Sequence, residues 1–178
     1  MILKKIRLVL IIILLLMILV FLAIGIKGLC SYIYRSYTLE TGIKIFSFTT
    51  EEKSDLCSYF DIMSENSIAI DWIEYREGLK NTNVKLQIRV KDRMQLKSVL
   101  SNYVVSKDKY SSLGVGIDVS EQFELSEQYL NSNDEHVEVF VFTNKKEILL
   151  LFLSDRTNAS LKEYIYKQID ADNFEKAY

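Results

Sequence analysis

Proline is absent from all 178 residues, where average usage of ~5% would supply about nine. With only six glycines as well, the chain excludes a disordered Pro-rich stalk and a loop-rich extracellular scaffold. Cysteine is nearly as scarce. Cys30 and Cys57 are too few for a disulfide framework and read as two separate thiols, with a single bridge between them as the alternative. Histidine occurs once, at His136, so any histidine-based catalytic or metal site has to be built around that residue.

Catalytic signatures are missing too. There is no Gly-x-Ser-x-Gly elbow, no phosphate-cradling glycine loop and no Cys-x-x-Cys pair. Gly114-Val115-Gly116 is too short for a dinucleotide fingerprint and reads as loosening a strand edge. His136 follows Asn133, Asp134 and Glu135, and carboxylates beside a histidine can share a divalent cation. Neighbours along an extended chain point to alternate sides, however, and the stretch lacks the glycine and closing glutamate of a calcium loop. It reads as a solvated turn. No catalytic, cofactor-binding or metal-binding residue is therefore assigned, and no cofactor.

What the chain does have is a run of nineteen residues, 8–26, with no charge and no hydrogen-bonding side chain. Sixteen of them are Leu, Ile, Val or Phe. At ~1.5 Å per residue a helix here reaches about 28 Å, close to the ~30 Å hydrocarbon thickness of a bilayer. At a few tenths of a kcal/mol per apolar residue, its insertion is favourable by roughly 5 kcal/mol or more. Lys4, Lys5 and Arg7 precede the run, and Lys27 and Arg35 follow it. The positive excess on the first side predicts a cytoplasmic N-terminus (1–7), a transmembrane helix (8–26) and an exported remainder. Tyr32, Tyr34 and Tyr37 fall where amphipathic rings favour the interface, in a juxtamembrane segment spanning 27–42. A cleaved signal peptide is the competitor, with Ala23-Ile24-Gly25 at a passable spacing, but its apolar region would normally be about 7–15 residues long. Lipidation of Cys30 is disfavoured, because Leu29 stands where such sites have a small residue.

All 24 acidic residues lie after Lys27, against 18 of the 22 basic ones, so the exported part carries a net charge of −6. Such a domain is a poor nucleic-acid binder and suits cations, basic peptides or neutral partners. The charge also serves plain solubility.

Residues 43–48 alternate as a short strand, and Thr49 with Glu52 forms a capping box for a helix displaying Leu56, Cys57, Phe60 and Met63. Ser64, Glu65 and Asn66 end that helix. Strands follow at 68–75 and 84–91, separated by a turn over 78–83. In the second of these, Val84, Leu86, Ile88 and Val90 alternate with Lys85, Gln87, Arg89 and Lys91, which predicts an antiparallel sheet covered on one side. Asp92 with Gln95 repeats the cap before a helical stripe of Met94, Leu96, Val99, Leu100, Tyr103 and Val104. Beyond a polar connector at 106–112 the same order is expected again. It comprises a strand at 113–118, a cap from Asp118 and Glu121, a helix at 123–130, a turn at 131–135, strands at 137–141 and 148–153, and a last helix from Ser160 and Glu163 displaying Leu161, Ile165 and Ile169.

Strand, helix, two strands, helix would thus occur twice, in units 43–105 and 113–172 followed by a tail at 173–178. The pairs Asp92-Arg93 and Asp155-Arg156 recur at matching junctions. The alternatives are a duplication, one joint domain, and an ordinary α+β domain cycling through similar elements. Phe140 and Phe142 face opposite to Val139 and Val141, so their strand is either central or presents an aromatic stripe to a partner. Asn158-Ala159-Ser160 matches a glycosylation acceptor but overlaps a helix start.

The expected protein is an α+β one: a transmembrane helix, then a mostly antiparallel sheet backed by helices. Its expected role is that of a non-enzymatic binding or accessory module (immunity, assembly or sensory) meeting a peptide, a membrane protein or an envelope component. Its other partner is the bilayer, through 8–26. A membrane-tethered hydrolase using carboxylates is the alternative, and a cytoplasmic domain with both cysteines reduced is a third arrangement.

Overall fold

The computed structural model describes residues 2–63, 68–78, 81–106 and 123–177, with side chains from Ile13 onward. The chain divides into two compact units, Met1–Thr38 and Leu39–Tyr178.

The first unit is helical. Helix α1 (Ile2–Thr41) runs 40 residues without a break, straight through the stretch expected as a separate juxtamembrane segment. At ~1.5 Å per residue that is about 60 Å, twice a hydrocarbon core, so the apolar run occupies only part of it. The large apolar side chains from Ile13 to Ile26 are all exposed. An all-round apolar surface with no protein over it is what a membrane span presents. The helix is thus long and apolar enough to serve as a single-pass anchor. It ends at Gly42, whose φ of +86° is the left-handed conformation that closes helices.

The second unit is an α+β domain on one eight-stranded sheet. Its elements are β1 (Ile43–Ile45), α2 (Thr50–Tyr59), β2 (Ala69–Glu77), β3 (Thr82–Val90), α3 (Arg93–Val99), β4 (Tyr103–Val105), β5 (Glu124–Asn131), β6 (Val137–Thr143), β7 (Ile148–Ser154), α4 (Ala159–Asp170) and β8 (Glu175–Lys176). The strand order is β4-β5-β6-β7-β3-β2-β1-β8, and every pairing between described strands is antiparallel. Strands from both expected units therefore share a single sheet.

A hairpin followed by a helix and a strand occurs twice: β2-β3-α3-β4 and β6-β7-α4-β8. The two sets meet where β3 pairs with β7, Gln87 opposite Leu151 at the middle. Each closing strand crosses over to the other set's side, β4 onto β5 and β8 onto β1. Within 173–178, Glu175 and Lys176 thus hold an edge strand.

Several expectations change. The helix expected at 123–130 is strand β5. A register shift between Leu125 and Glu127 breaks its alternation, so the period-2 signal is hidden, and pairing with β6 supplies the ladder bonds. The stripe after Asp92 is helical only to Val99. Tyr103 and Val104 belong to β4, and Met94 is 83% exposed. Met63 lies beyond α2 and is also exposed. The last helix is capped by Asn158, not Ser160: Asn158 Oδ1 accepts from the Leu161 N–H at 2.8 Å. The strand and cap expected over 113–121, most of the 106–112 connector, the Gly114–Gly116 stretch and the Ser64–Asn66 stop lie outside the described residues.

Other expectations hold. Thr49 Oγ1 accepts from the Glu52 N–H while Glu52 Oε2 accepts from the Thr49 N–H, a complete capping box. Asp92 caps α3 through the Gln95 N–H, and the Gln95 side chain reaches back to the Lys91 N–H. Val84, Leu86, Ile88 and Val90 are buried. They form a core with Leu56 of α2, Phe60 just after it, and Leu161, Ile165 and Ile169 of α4. Phe60 and Tyr103 meet Phe152 edge-on at 5.6 and 5.7 Å between ring centres.

The opposite face of the sheet is divided. Phe140, Phe142, Leu149, Leu151 and Leu153 form a second buried cluster there, so β6 is a central strand and its aromatics are not an exposed stripe. Towards β1 the same face is charged: Glu74 lies between Lys44 and Lys85, and Arg89 between Asp71 and Glu147.

Candidate functional site

Two polar regions of the domain unit bear on function. The first lies at the sheet end where α2 stops. Asp61 follows α2 in the left-handed conformation, φ 53°, and the N–H of Ile62 bonds to the Cys57 carbonyl at 2.8 Å in a Schellman closure. Its carboxylate accepts from three asparagine amides: Asn102 at 2.8 Å, Asn133 at 3.0 Å and Asn131 at 3.4 Å. Asn131 also turns the chain, its Oδ1 accepting from the N–H groups of Asn133 and Asp134. The 131–135 stretch is thus the expected turn, held by side chain–backbone bonds. Tyr103 donates its hydroxyl to the Phe60 carbonyl, which ties β4 to the same corner. The work of this cluster is structural: it anchors a helix end to two strands.

His136 stands beside it. Its Nδ1 lies 2.9 Å from Asp155 Oδ1, and its Nε2 lies 3.7 Å from the exposed Glu135. Asn133 and Asp134 are turned away to Asp61 and to the turn itself. The structure therefore does not gather the four residues of the 133–136 stretch around one point. Among the described residues no group of three or more His, Cys, Asp or Glu side chains is placed to hold a metal ion. Cys30, exposed, and Cys57, buried, form no disulfide.

The second region is a cleft of about 220 Å³ between α2 and α4. It forms because both helices lie on the same face of the sheet and run antiparallel, Glu52 at the start of α2 meeting Gln168 late in α4 and Tyr59 at the end of α2 meeting Arg156 just before α4. Leu56 and Leu161, both buried, belong to its lining together with Tyr59 and Tyr164. Glu52, Asp55, Ser58, Asn158 and Ser160 complete it, and among the described residues no cationic side chain lines it. Glu52 is held in place: Oε2 takes the Thr49 N–H at 2.7 Å and Oε1 takes the Gln168 amide at 2.9 Å. Asp55 is exposed and has no hydrogen-bond partner among the described residues.

The two rings differ. Tyr59 donates to the Arg156 carbonyl at 2.5 Å and lies 3.1 Å from Ser154 Oγ. The Tyr164 hydroxyl is closed to water and has no hydrogen-bond partner among the described residues. Burial pushes both phenols above the usual tyrosine range. Carboxylates add to this, Asp134 and Asp155 at Tyr59 and Glu52 at Tyr164. Carboxylate charge therefore acts on the ring in each wall of the cleft.

Sequence reasoning took Glu52 and Asn158 only as a cap and a glycosylation candidate, and it passed over Asp55, Ser58, Tyr59 and Tyr164. The one available signal was the presence of Tyr59 and Tyr164 beside the apolar stripes of their helices. That the two helices pack side by side is a tertiary fact. No family model, no curated relative and no solved structure matches this chain.

Proposed function

We propose that this is a single-pass membrane protein with its N-terminus in the cytoplasm. Its α+β domain lies outside, as a non-enzymatic binding or accessory module for a peptide, a neighbouring membrane protein or an envelope component. The observation that carries the reading is the α2–α4 cleft, an open recess with an apolar floor and unspent hydrogen-bond acceptors on a tethered domain. Tethering confines the domain to two dimensions near its partner, so a modest intrinsic affinity suffices.

Two measurements test this reading. A photo-crosslinking residue at Ser58 or Ser160 in cells should give the same discrete adduct from both cleft positions and none from Lys146, on a hairpin turn. Identical adducts from all three positions, or none from the cleft, overturn the binding role. Ser160→Cys in a Cys30→Ala background should react with a membrane-impermeant maleimide in intact cells. Reaction only after lysis places the domain inside and overturns the orientation.

A further inference from the structure

We propose that the α2–α4 cleft receives a single arginine side chain projecting from the partner, an inference that rests on the binding reading above. The helix starts flanking the cleft would by themselves draw an anion. One N–H at each start is already engaged, however, that of Glu52 by Thr49 and that of Leu161 by Asn158, and the Glu52 and Asp55 carboxylates in the lining oppose an anion. What the lining leaves unspent is acceptor capacity. Asp55 has no side-chain partner among the described residues, and each Glu52 oxygen, with one described donor apiece, retains a lone pair.

Size and shape narrow the occupant. A recess of about 220 Å³ has room for one long side chain. A guanidinium is flat, carries five donors and stacks on aromatic faces, which suits a slot with phenol rings in its walls and acceptors on more than one side. The stem of such a side chain lies naturally along apolar surface such as Leu56 and Leu161. The carboxylate charge acting on both rings and the surplus of acidic residues beyond the anchor favour the same sign of ligand.

The test uses the full chain in phosphatidylcholine nanodiscs with tyrosine rings isotope-labelled for NMR. The probe is the capped peptide Gly-Gly-Arg-Gly-Gly, compared with its citrulline analogue, which has the same shape without the charge. The arginine peptide should shift Tyr59 and Tyr164 and bind at least about fivefold more tightly than the citrulline peptide, the effect of one partly exposed ion pair. Asp55→Asn should erase most of that difference and Asp55→Glu should restore it, while Glu163→Gln, removing an exposed carboxylate from another part of the α4 surface, should leave it within about twofold.

Unchanged Tyr59 and Tyr164 signals overturn the inference. So does a loss on Glu163→Gln equal to that on Asp55→Asn, which would mean diffuse charge attraction. Equal binding of the citrulline peptide overturns the arginine preference alone and leaves the cleft a peptide site. Arginine binding without any cellular crosslink would instead count against the partner reading.

Discussion

Single residues with positive φ make opposite predictions here. Gly42 closes α1 at φ +86°, and a Cβ added there would meet Arg76 Nε at 3.0 Å and the Ala177 Cβ at 3.3 Å. Gly42→Ala should therefore cost about 1–2 kcal/mol, through left-handed strain and crowding together. Asp172 holds the equivalent left-handed place after α4, φ 54°, exposed and with no role beyond the Schellman closure of its backbone. Asp172→Gly should raise stability by about 0.5–1 kcal/mol. Urea unfolding of the full chain in micelles, followed by the fluorescence of Trp72, reads both; a loss at Asp172 would show that its side chain matters. Asp61 shares the conformation, but its carboxylate takes three asparagine amides, so glycine there would leave those donors unpaired.

At the scale of elements, the helices were legible where caps and apolar stripes coincide. Thr49 with Glu52 and Leu161-Ile165-Ile169 each carry their own local reason for helix. The start of α4 separates two candidate caps. Asn158→Ala should cost about 1 kcal/mol by freeing the Leu161 N–H, whereas Ser160→Ala should stay within about 0.5 kcal/mol, because Ser160 is exposed inside the first turn. Equal effects would move the cap. Strands were legible where alternation or a short apolar run marked them, as in β3 and β7, and β2 was expected despite its register shift. The shift in β5 hid its alternation, and β5 was misread as helix for that reason. The cleft shows the same limit: its residues come from two helices about a hundred positions apart, and nothing in either segment announces the other.

For the molecule as a whole, the buried phenols set an alkaline boundary. Burial holds Tyr75, Tyr103 and Tyr164 above their unfolded value of 10.0. Between the unfolded and folded values the native state retains more protons than the unfolded one, so stability is full below pH 10 and falls as pH rises beyond it. Absorbance at 295 nm against pH should show these rings ionising together with unfolding, as a cooperative step above pH 10. Smooth titration of all eleven tyrosines with the fold intact would contradict their burial. The other whole-molecule property is partition. The full chain should require detergent for extraction, because the run holds sixteen large aliphatic or aromatic side chains and those described, from Ile13 to Ile26, are exposed.

The sequence by itself determined the long apolar helix, the helix-backed antiparallel class and the caps of α2 and α3, because each depends on residues a few positions apart: hydropathy over one span, alternation over one strand, a side chain and the N–H three residues on. Only the tertiary structure decided that both halves share one sheet through β3 and β7, that β5 is a strand, that the Asn133–His136 carboxylates and histidine disperse, and that Tyr59 and Tyr164 face a common recess. Those outcomes depend on which distant surfaces bury each other, a free energy of the whole packed arrangement that no local window contains.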